Sequence, residues 1–458
     1  MRILIAGGGQ VSALIAGRLV REGNEVVIVE QDAERCRVLE EQFDAKIVRG
    51  TASSVLTLRR AGLAEAEMLI AATNVDEINL LACLIAQVES KARIKVARLR
   101  THEFAHWRRL AEAAGLKIDL IIHPETDVAD RVMRVLRVPG VSAIWNFADD
   151  RALLFGMNVE GGSWLAGKSL EDLDRAGPPR NSLVVMLFRG QQVIIPHGAE
   201  ELRPGDHIYV MATQDNIGEV YRFMGLEQVE KLSRVFIVGG KQLGIRMAEL
   251  LEEQGVNVKL LERDPARCEK LAGILNRTVV VNGDGTDQVT LEDENIEGAD
   301  AFLAMTNDDE TNIIASLLAR RFGVRKVVAL INRLHYLPMV QRLGINTTVS
   351  PRLNAVDRIL QFVRKGRVLS VTTFREEEAE AIELIAASNK KYVGRKLRDI
   401  RFPRGAIVGA IVRPDGEVIV PRGDAMIQPR DRVIFFALES VVPVLESAFL
   451  AESKRESA

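Results

Sequence analysis

The stretch RILIAGGGQV, residues 2–11, decides the fold of the first part of this chain. The run RILIA at residues 2–6, apolar after Arg2, is typical of a buried parallel strand, and the three glycines that follow are typical of a tight turn. A helical pattern starts at Gln10, and a second apolar run, EVVIV at residues 25–29, ends in Glu30. The sequence therefore predicts a strand, a glycine turn, a helix and a second strand that carries an acid at its tip.

This arrangement has the physical properties of a dinucleotide site. Glycines let the backbone approach a pyrophosphate, the helix N-terminus offers it unpaired N–H groups, and a strand-tip acid accepts hydrogen bonds from ribose hydroxyls. Gly7 and Glu30 are 30 − 7 = 23 positions apart, close to the usual spacing of about 20. Ser12 replaces the third glycine but is small enough for close packing of helix on strand. Glu30 favours NAD(H) or an adenosine nucleotide because it would repel a 2′-phosphate; the alternative is a glycine turn that binds nothing.

Alternating strands and helices continue through residue 137. Further strands are predicted at residues 45–48, 68–72, 94–97 and 120–122, and this alternation is typical of a doubly wound parallel sheet. In such a sheet the ligand lies across the carboxyl ends of the strands. The residues expected at that edge are Gly7, Gly8, Gly9, Gln10, Val11, Glu30, Thr73, Asn74 and Arg98. Arg98 is then either a phosphate clamp or a solvated arginine at a strand end.

Short apolar runs separated by glycine and proline replace the helical rhythm after residue 138. They lie at residues 153–159, 183–188, 192–195 and 207–212, and they predict a small α+β domain of short strands. The helical segment 128–138 leads into this domain. It packs on its own sheet or, alternatively, against a neighbouring subunit or the matching helix at residues 355–363.

The opening pattern returns later in the chain at a nearly constant offset, which is 239 − 7 = 232 for the glycine loop and 262 − 30 = 232 for the strand-tip acid. The corresponding pairs are Gly7 and Gly239, Glu30 and Glu262, TNVDEIN at 73–79 and TNDDETN at 306–312, GKSLEDL at 167–173 and GRKLRDI at 394–400, and RPGD at 203–206 and QPRD at 428–431. Because several separate motifs recur in the same order, the sequence indicates a tandem duplication.

The second glycine loop is a candidate site of its own. Its residues are Gly239, Gly240, Lys241, Gln242, Leu243 and Glu262. Lys241 takes the place of Gly9, where its side chain either obstructs a pyrophosphate or contacts a phosphate itself. Leu330 takes the place of Arg98, so the clamp is missing. The second half is therefore expected to bind a different nucleotide, to bind weakly or to bind none.

These observations predict an α/β fold class with two Rossmann-like domains, each a doubly wound parallel sheet followed by a small α+β domain. The predicted boundaries are 1–137 and 138–225 in the first half, and 232–364 and 365–450 in the second half.

The composition narrows the class of protein. A chain of 458 residues with 47% hydrophobic and 27% charged residues is typical of several globular domains, and a net charge of −2 gives no reason to expect a nucleic-acid partner. Three isolated cysteines suit a reducing cytoplasm. Because Met1 leads straight into the first strand and no apolar span reaches about 20 residues, a link to a membrane is expected to go through a protein partner.

Two motifs resemble known metal-binding or catalytic motifs but lack the neighbouring residues that such sites need. HEFAH at residues 102–106 matches a zinc-protease pattern, but no suitable third ligand accompanies it. Tyr392 and Lys396 imitate a dehydrogenase pair, but they lie in a turn of the second small domain. No acid–base pair is evident elsewhere. We therefore expect no metal site and no catalytic residue.

The combination of duplicated glycine turns, strand-tip acids, TNVDEIN/TNDDETN, GKSLEDL and RPGD resembles the TrkA family of bacterial Trk potassium-uptake regulators. That family consists of RCK (or KTN) domains, each followed by an RCK C-terminal domain. The resemblance covers nearly the whole chain. It implies a peripheral cytoplasmic regulator that assembles as a tetrameric ring beneath a membrane-embedded Trk channel subunit. It also implies that NAD(H) and ATP/ADP are bound at the two glycine loops and gate potassium uptake without being chemically changed.

The chain departs from the family pattern at Thr51, where an aspartate is common, and at Arg430, which replaces a turn glycine. Two other functions stay open from the sequence. One is an NAD-dependent oxidoreductase, and the other is a nucleotide-binding regulator of a different channel or of an antiporter.

Overall fold

The structure is a computed structural model. It describes residues 1–90, 94–100, 113, 115–138, 140–190, 192–226, 232–345, 347–363, 368–374, 379–387 and 392–449.

The first sheet is parallel and forms around the apolar run at the start of the chain. Its strands are β1 (Arg2–Ala6), β2 (Glu25–Glu30), β3 (Lys46–Arg49), β4 (Met68–Ala71), β5 (Ile94–Arg98) and β6 (Leu120–Ile122), in the order β3-β2-β1-β4-β5-β6. The helices described between them are α1 (Gln10–Arg21), α2 (Ala33–Gln42), α3 (Val55–Arg60) and α4 (Asp76–Glu89), and α5 (Pro124–Leu136) follows β6. The strand order reverses at β1 and β4, so a cleft opens between their carboxyl ends.

The first small domain contains an antiparallel sheet. Its strands are β7 (Val141–Phe147), β8 (Ala152–Asn158), β9 (Ser182–Arg189), β10 (Gln192–Ile194) and β11 (His207–Thr213), in the order β10-β9-β11-β8-β7. The short helices α6 (Leu170–Arg175) and α7 (Ile217–Phe223) accompany this sheet. Ser169 and Asp172 form a capping box at the start of α6, which gives the GKSLEDL motif a structural role.

The second half repeats both sheets. The strands of its parallel sheet are β12 (Arg234–Val238), β13 (Asn257–Glu262), β14 (Val279–Asn282), β15 (Ala301–Ala304), β16 (Lys326–Leu330) and β17 (Thr347–Val349), in the order β14-β13-β12-β15-β16-β17. Its helices are α8 (Gln242–Glu253), α9 (Pro265–Ile274), α10 (Gln288–Asp293), α11 (Asp309–Arg321), α12 (Leu337–Arg342) and α13 (Pro351–Val363).

The antiparallel sheet of the second half comprises β18 (Val368–Phe374), β19 (Ala379–Ile385), β20 (Ala406–Val412), β21 (Val418–Ile419) and β22 (Arg432–Leu438), in the order β18-β19-β22-β20-β21, and α14 (Val442–Phe449) follows it. The predicted fold class is confirmed: two parallel Rossmann-like sheets, each followed by a small α+β domain, form a tandem duplication.

A buried aspartate explains the RPGD and QPRD motifs. Asp206 is 1% exposed and accepts two hydrogen bonds from Arg189 on the neighbouring strand, at 2.9 and 2.8 Å. In the second half Arg413 pairs with Asp431, which is fully buried. Such paired, desolvated charges fix the turn against the sheet. The motif is therefore a structural feature of the small domains.

The chain forms two compact units, each of which contains segments that are separated in the sequence. One contains residues 1–128 together with 350–363, and the other contains residues 129–349 and 364–458. Helix α13 of the second repeat therefore packs on the first sheet and its helix α1. Ala355, Ile359 and Leu360 are at most 2% exposed and lie in one apolar cluster with Ile5 and Ile15.

The helix before the first small domain is correspondingly shared between the units. Residues 129–136 of α5 belong to the second unit, where Val135 joins the apolar core of the first small domain. Lys326, on β16 of the second sheet, donates hydrogen bonds to the carbonyls of Val135 and Val138. The end of this helix therefore packs in the first small domain and not on its own sheet.

Replacing Ile359 with alanine tests the docking of α13. Because the side chain is fully buried, its loss should cost about 3 kcal/mol of local stability. Hydrogen exchange should accelerate in β1 and α1 and stay unchanged in β12 and α8. Ile314→Ala on α11, at a side chain that is 49% exposed, is the matched control and should leave all four elements unchanged. Unaltered protection of β1 and α1 in Ile359→Ala would show that α13 does not pack there in solution.

Candidate functional site

The first glycine turn is positioned by two close approaches of the backbone. Gly7 has a φ of +102°, and a Cβ atom there would lie 3.1 Å from the Cα of Thr73. A Cβ atom on Gly8 would lie 2.7 Å from Leu39 Cδ1 and 2.9 Å from Glu30 Oε2. Gly9 differs, because a Cβ atom there would meet no atom within 4 Å. Glycine is therefore needed for the fold of the turn at positions 7 and 8, and position 9 tolerates a side chain.

Glu30 is held in place by two backbone donors. The N–H of Gly8 donates to its Oε2 atom at 2.6 Å, and the N–H of Asp32 donates to Oε1 at 2.8 Å. The residue is 6% exposed. A carboxylate has about four lone-pair positions, so acceptor capacity remains for the two hydroxyls of a ribose. The strand-tip acid is thus buried, oriented and able to accept further hydrogen bonds.

The start of α1 supplies donors for an anion. Gly9 is the N-cap of this helix and provides no side-chain hydrogen bond, and the first turn contains no acidic residue. The N–H groups of the first turn therefore keep both their hydrogen-bonding capacity and the positive end of the helix dipole. Gln10 is exposed there, and the Val11 side chain, at 4% exposure, belongs to the core. Val11 could therefore contribute to binding only through its backbone.

A buried amide that the sequence analysis did not single out connects the next two strands. Asn79 is fully buried; its Oδ1 accepts from the N–H of Thr73 at 2.9 Å, and its Nδ2 donates to the carbonyl of Arg98 at 2.7 Å. Asn312 repeats this geometry, bonding to Thr306 at 2.9 Å and to Leu330 at 2.8 Å. A comparison of the two repeats could have identified this residue, because the last asparagine is identical in TNVDEIN and TNDDETN.

Arg98 lies at the same edge, at the end of β5, where its carbonyl accepts the hydrogen bond from Asn79. Its Nε atom is buried and makes no hydrogen bond with any described residue. Burial lowers the pKa of the guanidinium, Arg100 and Arg352 act in the same direction, and Glu125 and Asp76 oppose them. A desolvated cation with a donor to spare is suited to an anionic ligand. The structure thus brings Gly7, Glu30, Thr73 and Arg98 to one edge, with Asn74 exposed beside Thr73.

The second glycine loop has the same frame but different chemistry. Gly239 has a φ of +105°, and Glu262 accepts from the N–H groups of Gly240 at 2.9 Å and Asp264 at 3.0 Å. Lys241 is exposed at the N-cap of α8, the position that tolerates a side chain in the first loop. Leu330, in the place of Arg98, is an apolar side chain only 4% exposed.

The remaining residues of the second loop are placed as in the first. Gln242 and Leu243 open α8, and Leu243 is buried at 5% exposure. The second loop therefore keeps the backbone donors and the strand-tip acid of a nucleotide site, without the arginine.

The other sequence motifs do not form part of this edge. HEFAH, residues 102–106, lies outside the described residues. The ring of Tyr392 packs on Phe402 and Phe449, and Lys396 pairs with Asp424 at 3.2 Å, so both belong to the second small domain. Within the described ranges, no three His, Cys, Asp or Glu side chains are grouped as for a metal ion. Among the helices described, none combines the length and apolar character needed to cross a membrane.

Comparison with protein families identifies the two kinds of domain. The TrkA-N domain matches residues 3–124 and 235–351, and the TrkA-C domain matches residues 154–225 and 381–450. The chain belongs to the TrkA family. The Trk system potassium uptake protein TrkA of Halomonas elongata is 37% identical over 96% of both chains. The corresponding TrkA protein of Vibrio alginolyticus is 36% identical over 95% of both chains.

A solved structure supports the fold of this TrkA family member. The GsuK channel bound to NAD superposes with a TM-score of 0.62 at 20% sequence identity, over 98% of this chain and 78% of the channel chain. The family resemblance drawn from the sequence motifs is therefore confirmed. The TrkA-N matches begin at the first strand of each parallel sheet and contain both glycine loops.

Replacing Asn79 with alanine tests the buried amide. The N–H of Thr73 and the carbonyl of Arg98 would lose their partners inside the protein, so the change should cost about 2–4 kcal/mol in local stability. Hydrogen exchange of the 72–80 segment and of β5 would report it. The matched control is Asn74→Ala, at an exposed position of the same loop, which should have little effect. Equal exchange rates in both variants would show that the buried Asn79 amide does not stabilise this part of the site.

Proposed function

We propose that this chain is the regulatory subunit of a Trk-type potassium uptake system. In this proposal it is a peripheral cytoplasmic protein that binds NAD(H) and ATP/ADP and gates a membrane-embedded Trk channel subunit. It assembles with copies of itself as a tetrameric ring. The names and the nearly full-length matches of the Halomonas and Vibrio relatives support this assignment. The NAD carried by the GsuK channel structure supports a nucleotide as ligand.

The geometry of the first glycine loop carries the proposal. A backbone that approaches closely at Gly7 and Gly8, an oriented Glu30 carboxylate and the uncapped start of α1 together suit a ribose followed by a pyrophosphate. Arg98 at the end of β5 would then meet the more distal part of the ligand. Glu30 disfavours a ligand with a 2′-phosphate. The second loop is proposed as a weaker or different nucleotide site.

Regulation follows from differential binding. A nucleotide shifts the protein between two shapes only to the extent that it binds one of them better. A coupling free energy of about 1–3 kcal/mol between nucleotide and channel would be typical. Hydride transfer would need an acid–base group beside the nicotinamide. Among the described residues, the groups at the first loop are a carboxylate held by backbone donors, a threonine hydroxyl bonded to Asn79, and arginines. They suit binding, so we propose that the nucleotide is not chemically changed.

Calorimetric titration with NADH, NAD, ATP and ADP tests the nucleotide sites. Glu30→Lys should abolish binding at the first loop, because an ammonium cannot accept hydrogen bonds from ribose hydroxyls. Glu262→Lys is the matched variant and should affect only the second loop. Wild-type protein that binds none of the four ligands would refute the nucleotide assignment. Consumption of NADH with a carbonyl compound would instead favour an oxidoreductase.

The membrane partner is tested by affinity capture from detergent-solubilised membranes. A Trk-type channel subunit should be recovered with the tagged wild-type chain, and potassium uptake by cells carrying Glu30→Lys should lose its response to nucleotide. The matched control is Arg358→Gln, a surface change on α13, which should keep both properties. Recovery of a different channel or an antiporter in place of the Trk subunit would overturn the partner assignment.

A further inference from the structure

A guanidinium from the second repeat reaches the first glycine loop. Arg352 lies in the first turn of α13, the helix that packs with residues 1–128 in one compact unit. Its Nη1 atom donates a hydrogen bond to Oε1 of Gln10, the residue that opens α1. The starts of α1 and α13 therefore lie side by side, and both helix dipoles direct positive charge to this point.

Arg352 also lies within the electrostatic reach of Arg98. Its charge is one of the causes that lower the pKa of Arg98, after burial of that side chain. Arg100 belongs to the same group; it pairs with Glu125 at 3.4 Å, and its N–H donates to Asp76 at 2.8 Å. Among the described residues, the guanidinium groups of Arg98, Arg100 and Arg352 thus lie near the carboxylates of Glu125 and Asp76. A group of three basic side chains beside two helix N-termini favours an anion at this edge of the sheet.

The described part of the second repeat lacks two of these arginines. At the offset of 232 that relates β5 to β16, Arg98 and Arg100 correspond to Leu330 and Asn332. Where Pro351 opens α13, Pro124 opens α5, so the counterpart of Arg352 in the first repeat is Glu125, which pairs with Arg100. The fold of the parallel sheet therefore does not require arginine at positions 98 and 100.

The order of strands indicates which part of a nucleotide these arginines would meet. Glu30 ends β2 and would hold the ribose, and the glycine turn with the start of α1 follows β1. Arg98 ends β5, two strands further along the sheet. A phosphate chain that starts at the ribose and crosses the glycine turn therefore runs toward Arg98 and the start of α13.

We infer that Arg352 is a specificity-determining residue of the first nucleotide site, where it binds the distal phosphates of a nucleoside polyphosphate. This inference rests on the proposed nucleotide function of that loop. A guanidinium has five N–H donors, so Arg352 can keep its bond to Gln10 while it binds phosphate. The ligand thereby contacts α13, which belongs by sequence to the second repeat. Binding of a triphosphate would hold that helix more firmly on the first sheet than binding of a monophosphate.

The test is calorimetric titration of the full chain with AMP, ADP and ATP. Arg352→Gln should weaken ATP binding about tenfold or more, weaken ADP binding less, and change AMP binding less than about twofold. Arg352→Lys should give an intermediate loss, because it keeps the charge without the planar fork. Arg358→Gln is the matched control, because it removes a different α13 contact with the same unit, the pair with Asp127 at 3.8 Å.

Each outcome bears on a distinct statement. A loss that grows with the number of phosphates in Arg352→Gln, with Arg358→Gln unchanged, supports the inference. Equal affinities in wild type and Arg352→Gln overturn it while the proposed nucleotide function stands. Equal losses for all three nucleotides in both variants also overturn it, because they assign Arg352 to helix docking alone. No binding by wild-type protein overturns the inference together with the proposed function.

Discussion

The hydrogen bond between the Gly8 N–H and the Glu30 carboxylate fixes the relation of the first turn to the second strand, and the rest of the candidate site depends on it. The bond forms because no side chain separates the two groups; a Cβ atom on Gly8 would lie within 3 Å of both Leu39 and Glu30. It holds the acid at the tip of β2 while α1 starts on the other side of the turn. The same bond, between Gly240 and Glu262, recurs in the second half. What differs between the two halves is the set of side chains placed around this common frame.

The exchange of helices between the repeats gives the duplication a physical consequence. A parallel sheet needs apolar cover on both faces, and the first sheet obtains part of its cover from α13, which the second repeat supplies. Each repeat therefore contributes to the surroundings of the other, although the strand order of each sheet is complete within its own repeat. Duplicated domains joined in this way can diverge at their ligand edges while their cores stay mutually dependent. The loss of arginine at Leu330 and the gain of Lys241 are divergence of that kind.

Much of the fold could be predicted from the sequence because its signals are local. The strands β1 and β6 were predicted with the bounds that the structure shows, since an apolar strand is recognisable within a few residues. Helix α5 begins at Pro124, before the helical segment 128–138 of the sequence analysis, because proline is well tolerated in the first turn of a helix. Strand β7 was not predicted, because the polar residues Ser142 and Asn146 interrupt its apolar pattern.

The candidate site was predictable only in part. Glycines, a strand-tip acid and a strand-end arginine occur in a known order, so Gly7, Glu30 and Arg98 could be proposed directly. Asn79 fits the helical pattern of α4 and could be separated from it only by comparing the repeats. Arg352 lies 342 residues from its partner Gln10. Helical periodicity predicts that a helix has an apolar face, but it does not predict which sheet that face covers.

The helix that completes the first unit also sets the order of events during synthesis of the chain. Residues 1–128 leave the ribosome without the segment that covers one face of their sheet, and that segment begins only at residue 350, which is 350 − 128 = 222 residues later. At roughly 5–20 residues per second, the gap is about 10–40 s. During that time the apolar surface around Ile5 and Ile15 lacks its final partner. A chaperone that shields this surface, or a provisional contact with α5, would decide how much of the nascent protein reaches its native form.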